Sequence, residues 1–125
     1  MTKPRWLVIT ALYVFVVGIG SLIPDYTTTQ KPLWQIILHN SLHVPAYGFM
    51  TILLLRVTVL STFSRKYFAT FIIAWLYGAW LETLQMYVPG RDASVLDLAL
   101  NALGAWLGLS LFRSSFVKRT LLRLE

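Results

Sequence analysis

Residues 6 to 24 and residues 32 to 55 contain no aspartate, glutamate, lysine or arginine. Runs of that length constrain the chain more than anything else in it. About 20 apolar residues in a helix match the hydrocarbon thickness of a bilayer. In hydrocarbon only a helix or a closed barrel satisfies every backbone N–H and C=O internally. A third run, 67 to 81, reaches Val88 if Glu82 is tolerated, and a fourth spans Asp97 to Phe112. The four runs use nearly all 125 residues and leave no soluble domain. Mean hydropathy of +0.65 with only 13% charged residues agrees with lipid as the solvent. The expected fold class is therefore all-α, an integral membrane four-helix bundle in one domain over residues 1–125. Its helices are expected near 6–23, 33–60, 66–88 and 95–113, followed by a basic tail over 114–125 that suits an anionic membrane surface.

The net charge of +6 reflects topology rather than nucleic-acid binding. Nine basic residues fall on one side of four spans: Lys3 and Arg5, then Arg56, Arg65 and Lys66, then Arg113, Lys118, Arg119 and Arg123. Lys31 and Arg91 fall on the other. The excess of positive residues in cytoplasmic segments places both termini and the middle connection in the cytoplasm. The first helix also has features of a signal peptide, a basic start and small residues Gly18, Gly20 and Ser21 after an apolar run. Its length and the interfacial Trp6 favour a retained span. With no cysteine, disulfides and cysteine-ligated metal centres are excluded.

Proline punctuates the chain. Pro32 suits the first turn of the second helix. Pro45, inside that helix, removes a hydrogen bond and clashes with the Ser41 carbonyl, so a kink is expected. Val88, Pro89 and Gly90 close the third helix, and Ser94 with Asp97 fits a capping box opening the fourth.

Against this background the polar residues of the spans stand out. His39, His43 and Tyr47 share one helix face at i, i+4 spacing; Gly78, Glu82 and Gln85 share another; Asp97, Asn101, Gly104 and Gly108 share a third. The topology puts the polar members of all three stripes in the outer half, within about 10 to 15 Å of the surface at 1.5 Å rise per residue. Each ionisable group costs about 2.5 to 3.5 kcal/mol at the bilayer centre on insertion scales, so it turns inward and finds partners. The expected result is a polar pocket open to the outside, with Asp25, Lys31, Arg91 and Asp92 above it. Gly104 and Gly108, a GxxxG pair, would let their helix approach a neighbour closely.

Two kinds of role suit these residues. Arg91 offers a planar fork for a phosphate or carboxylate, with Glu82 and Asp97 orienting it. Alternatively Glu82, Arg91 and Asp97 form a structural network, Arg91 pairing with either carboxylate and Asn101 bonding Gln85. His43 with Glu82 or Asp97 could serve as acid and base, making these three the catalytic candidates. His39 and His43 could share a metal with a carboxylate, but no helix carries H-E-x-x-H, and neither a metal nor another cofactor is expected.

The order Glu82, Gln85, Pro89-Gly90-Arg91, Asp97, Asn101, Gly104, Gly108 resembles the signature of the VanZ-like family of bacterial membrane proteins. His43, Ala46 and Tyr47 resemble its upstream H-x-x-A-Y element. Many members carry an Asp-Lys pair ahead of that histidine, where this chain has His39 and Asn40. The resemblance implies an integral protein of the cell envelope, in the bacterial cytoplasmic (inner) membrane, with a link to susceptibility to teicoplanin-type glycopeptides. It implies no settled chemistry. The leading expectation is binding of a membrane lipid or lipid-linked, cell-wall-related amphiphile through His39, His43, Glu82, Gln85, Arg91, Asp97 and Asn101, by a monomer or homodimer with no nucleic-acid partner. A membrane-embedded hydrolase or transferase is the alternative. A small multidrug exporter is disfavoured because the first span lacks the ionisable residue that proton coupling there would need.

Overall fold

The computed structural model describes residues 3–26, 31–57 and 65–114. Five helices account for most of them: α1 (Lys3–Leu22), α2 (Leu33–Ser41), α3 (His43–Arg56), α4 (Lys66–Gln85) and α5 (Val95–Arg113). There is no strand among the described residues. Three helical stretches, Pro4–Leu22, Lys66–Gln85 and Val95–Arg113, are long and apolar enough to cross a membrane.

The second apolar run forms two helices rather than one kinked helix over 33–60. The interruption falls at Leu42, three residues before Pro45. Pro45 has no N–H to offer the Ser41 carbonyl, so the ladder loses its bond at that point. Leu42 N–H is shared between the Leu38 and His39 carbonyls at 3.2 Å each, and Ala46 N–H resumes the ladder to Leu42. The backbone stays in the helical region at Leu42, so α3 continues from α2 after one irregular turn. Residues 58–60 of the expected helix, and 115–125 of the basic tail, lie outside the described residues.

The fourth helix ends at Gln85, short of Val88. Tyr87 and Val88 donate to Leu84 and Gln85, three residues back, which tightens the chain into turns. Val88 precedes a proline, a position where the helical region is disfavoured. Gly90 then takes φ of +72°, and a side chain there would collide with the backbone of Asp25. Asp25 N–H donates to Pro89 O at 3.1 Å, which pins the segment after α1 to the turn after α4.

α3 lies at the centre, packed most extensively on α5 and also on α1 and α4. The α3–α5 contact is made by glycines. A Cβ on Gly104 would strike the Val44 carbonyl, and one on Gly108 would strike the carbonyl of Gly48, one turn further along α3. The GxxxG pair is thus used within the chain, where small residues allow backbones to approach.

Polarity is inverted relative to a water-soluble protein. Leu12, Phe15, Val16, Trp34, Phe68 and Trp80 are among the many large apolar side chains on the outside. Thr51, Thr70, Glu82, Gln85, Asp97 and Asn101 are inside. In water such an outer surface would be a large unburied cost. Against hydrocarbon it costs nothing, and the polar groups are the ones that need covering.

Candidate functional site

The polar stripes of α3, α4 and α5 meet near the end of the helices that carries the 22–33 and 86–94 connections. One nitrogen or oxygen each from His43, Glu82 and Asp97 lie within 4.8 Å of one another. Asn101, fully buried, joins them: its Oδ1 is 2.7 Å from His43 Nδ1. An amide oxygen only accepts, so this bond places a proton on Nδ1. His43 Nε2 then faces Asp97 Oδ1 at 4.0 Å. The Tyr47 ring stacks on His43 with centroids 6.3 Å apart, holding the imidazole plane from the next turn of α3.

Local sequence explains how the carboxylates are held. Ser94 caps α5 by accepting from Asp97 N–H at 3.3 Å, one arm of a capping box. The other arm is supplied from a different helix. Ser94 N–H donates to Glu82 Oε2 at 3.1 Å, so the α4 carboxylate sits at the N-terminus of α5, where the helix dipole favours negative charge. Asp97 is 7% exposed and its Oδ1 has no hydrogen-bond partner. Gly78 on α4 leaves room for this assembly, since a Cβ there would lie 2.7 Å from Asn101 Nδ2.

Arg91 and Gln85 take different partners from those expected of a structural network of Arg91 with the carboxylates and Asn101 with Gln85. Arg91 pairs with neither Glu82 nor Asp97. Its Nε donates to Ile23 O at 3.0 Å and Nη2 to Gly20 O at 3.3 Å, at the C-terminal end of α1. Its Nη1 lies 3.0 Å from His39 Nε2, which must accept, because guanidinium only donates. Gln85 bonds not Asn101 but Ser21 O, at 2.9 Å. The last carbonyls of α1, orphaned as at every helix end, are therefore capped by α4 and the turn that follows it.

Two cavities that share lining residues lie beside these groups. The deeper, about 180 Å³, reaches His43, Tyr47, Gln85 and the α1 residues Val17 and Ser21. The wider, about 420 Å³, is bordered by Lys31, His39, Asn40, Arg91, Ser94 and Asp97. Lys31 forms an ion pair with Asp25 at its rim. His39, Gln85 and Arg91 line both. Five of the seven polar candidates, His39, His43, Gln85, Arg91 and Asp97, line one or both of these cavities, while Asn101 is buried behind His43 and Glu82 borders a separate pocket with Thr83 and Ser94. Gly104 and Gly108 lie further along α5, in the helix contact.

Some contributors have weak signals in the sequence. Gly48 is a lone glycine with no motif partner on its own helix. The carbonyls of Gly20, Ser21 and Ile23 act through backbone, which no side chain announces. Ser94 N–H is visible only as the start of a cap. The hydroxyls of Tyr13 and Tyr77, which belong to no motif, donate to Ala46 O at 3.0 Å and Val14 O at 2.7 Å, tying α1 to α3 and α4.

No curated protein and no solved structure matches the chain. The profile of one family, described as VanZ/LLP1, matches residues 5–119, which takes in all five helices but the first residues of α1 and every polar residue of the cleft. The chain belongs to the VanZ/LLP1 family.

Proposed function

We propose that this chain is a four-span protein of the bacterial cytoplasmic membrane, α2 and α3 together making the second span. Both termini lie in the cytoplasm, and the polar cleft faces outward to take the anionic or zwitterionic headgroup of a lipid-linked, cell-wall-related amphiphile. The observation that carries this reading is the 420 Å³ cleft, bordered by Arg91, Lys31 and His39, in a molecule that exposes many large apolar side chains. A headgroup enters such a cleft while its tails stay in the surrounding lipid. Arg91 is already fixed by three partners and has five N–H donors, so two remain for a phosphate or carboxylate. Its orientation is set before the ligand arrives, which lowers the ordering cost of binding.

The test is equilibrium binding of labelled polyprenyl-diphosphate-linked sugar to the full chain in lipid nanodiscs. Saturable binding without turnover, weakened about tenfold or more by Arg91→Gln, supports the proposal; one charge-assisted hydrogen-bonding pair of about 1.5–3 kcal/mol corresponds to that loss. Binding that is absent, or indifferent to Arg91, contradicts it. Family membership supports a role in the envelope, and expression in a glycopeptide-susceptible host should raise the inhibitory concentration of teicoplanin.

A second reading is favoured by the His43–Asp97 approach of 4.0 Å beside Glu82. These groups have the composition of an acid–base site for a membrane-embedded hydrolase or transferase. Turnover of the same labelled lipid, abolished in His43→Ala, would select it.

A further inference from the structure

We propose that His43, Glu82 and Asp97 bind one divalent transition-metal ion of the zinc class, His43 through Nε2 and the acidic residues through carboxylate oxygens. The sequence disfavoured a metal, because no helix carries H-E-x-x-H, and its candidate histidine pair was His39 with His43 on one helix. The three helices supply the set jointly.

Four observations converge. The donor atoms, one nitrogen and two carboxylate oxygens, lie within 4.8 Å of one another. His43 donates its other ring proton to Asn101 Oδ1 at 2.7 Å, the outer-sphere bond that typically fixes a metal-binding imidazole with its lone pair toward the ion. That lone pair faces Asp97 Oδ1, a buried acceptor with no donor of its own. Two acceptors aimed at each other 4.0 Å apart repel unless a proton or a cation lies between them. Finally, among the described residues neither Glu82 nor Asp97 pairs with a lysine or arginine; the nearby guanidinium of Arg91 bonds the Gly20 and Ile23 carbonyls and His39 instead. Two carboxylates in a low-dielectric setting need compensating charge. A divalent ion supplies it.

The dimensions allow it. Donors about 2.0–2.2 Å from one tetrahedral ion lie about 3.3–3.6 Å apart, so the His43–Asp97 gap of 4.0 Å must close by about half an ångström. The other separations, all within 4.8 Å, must close by up to about 1.2 Å to reach that spacing, a shift that rotation of the carboxylate side chains provides. Three protein ligands leave positions for water or for a ligand oxygen arriving from the cleft. Mixed imidazole and carboxylate donors favour zinc-class ions over magnesium or calcium, which prefer all-oxygen sites.

This inference stands apart from the headgroup reading, and its test contains no lipid-linked ligand. Tag-free full-length protein, stripped with chelator and exchanged into fresh detergent, is titrated with Zn²⁺ against a chromophoric competitor. The expected result is one saturable site per chain, weakened at least tenfold in His43→Gln and in Asp97→Asn. Thr83→Ala, an exposed residue on α4 bonded only within its helix, should leave affinity unchanged. Absence of a saturable site in wild-type protein, or equal affinity in wild type and both variants, overturns the proposal. If the variants do not fold, Co²⁺ added to the stripped wild-type protein decides: d–d absorption with stoichiometric onset supports the site, and a spectrum of hexa-aquo Co²⁺ alone overturns it.

Discussion

Asn101 is the residue on which the polar cluster turns. It is fully buried, reaches His43 across the helix interface and sits opposite Gly78. Replacing it with leucine removes the acceptor for His43 Nδ1–H and leaves that donor inside the bundle, a loss of about 1–3 kcal/mol. Equilibrium unfolding in mixed micelles, followed by tryptophan fluorescence, should show Asn101→Leu destabilised by that amount with helix content retained. At this scale the sequence was partly legible. His43, Glu82, Asp97 and Asn101 are expensive in hydrocarbon, so their meeting followed from topology and cost alone. Their actual pairings did not follow. Arg91 and Gln85 chose backbone carbonyls of α1, and those acceptors are present in every residue and distinguished in none. A carboxylate for Arg91 was the natural expectation from charge; geometry gave Glu82 to Ser94 N–H instead.

Helices α3 and α5 are held together at the scale of the element by the absence of side chains. Val44 and Gly48 on one helix meet Gly104 and Gly108 on the other, one turn apart on each. Gly108→Ala places a methyl group against the Gly48 carbonyl and forces the helices apart, with an expected cost of about 1–3 kcal/mol for overpacking. Gly20→Ala is the matched control, because nothing lies within 4 Å of a Cβ there. The same unfolding assay should separate the two, and equal stabilities would mean that the close approach does not hold the fold. The GxxxG pair was readable in the sequence; its partner was not, since Gly48 stands alone in α3. The break at Leu42 was readable only in part. Proline at 45 pointed to the Ser41 carbonyl, next to which the break falls; that the run would divide into two helices rather than kink was not announced.

For the whole molecule the governing fact is inverted polarity: apolar side chains outside, hydrogen-bonding ones inside. Composition and the charge-free runs made this legible at once, because no soluble fold covers so much apolar surface with so few charges. The cavities were less legible. They arise where residues of all five helices and of the turn after α4 leave space around His39 and Arg91, a junction that no local run of sequence describes. On the proposed function, polar groups from separate helices enclose a cleft open to the outer side of the membrane. A chain without cysteine permits a direct test. Asn40 borders the wider cavity, and Ser114 lies just past the far end of α5. In intact cells a membrane-impermeant maleimide should label Asn40→Cys and leave Ser114→Cys unmodified until the membrane is permeabilised. Protection of Asn40→Cys together with labelling of Ser114→Cys from outside would contradict the account.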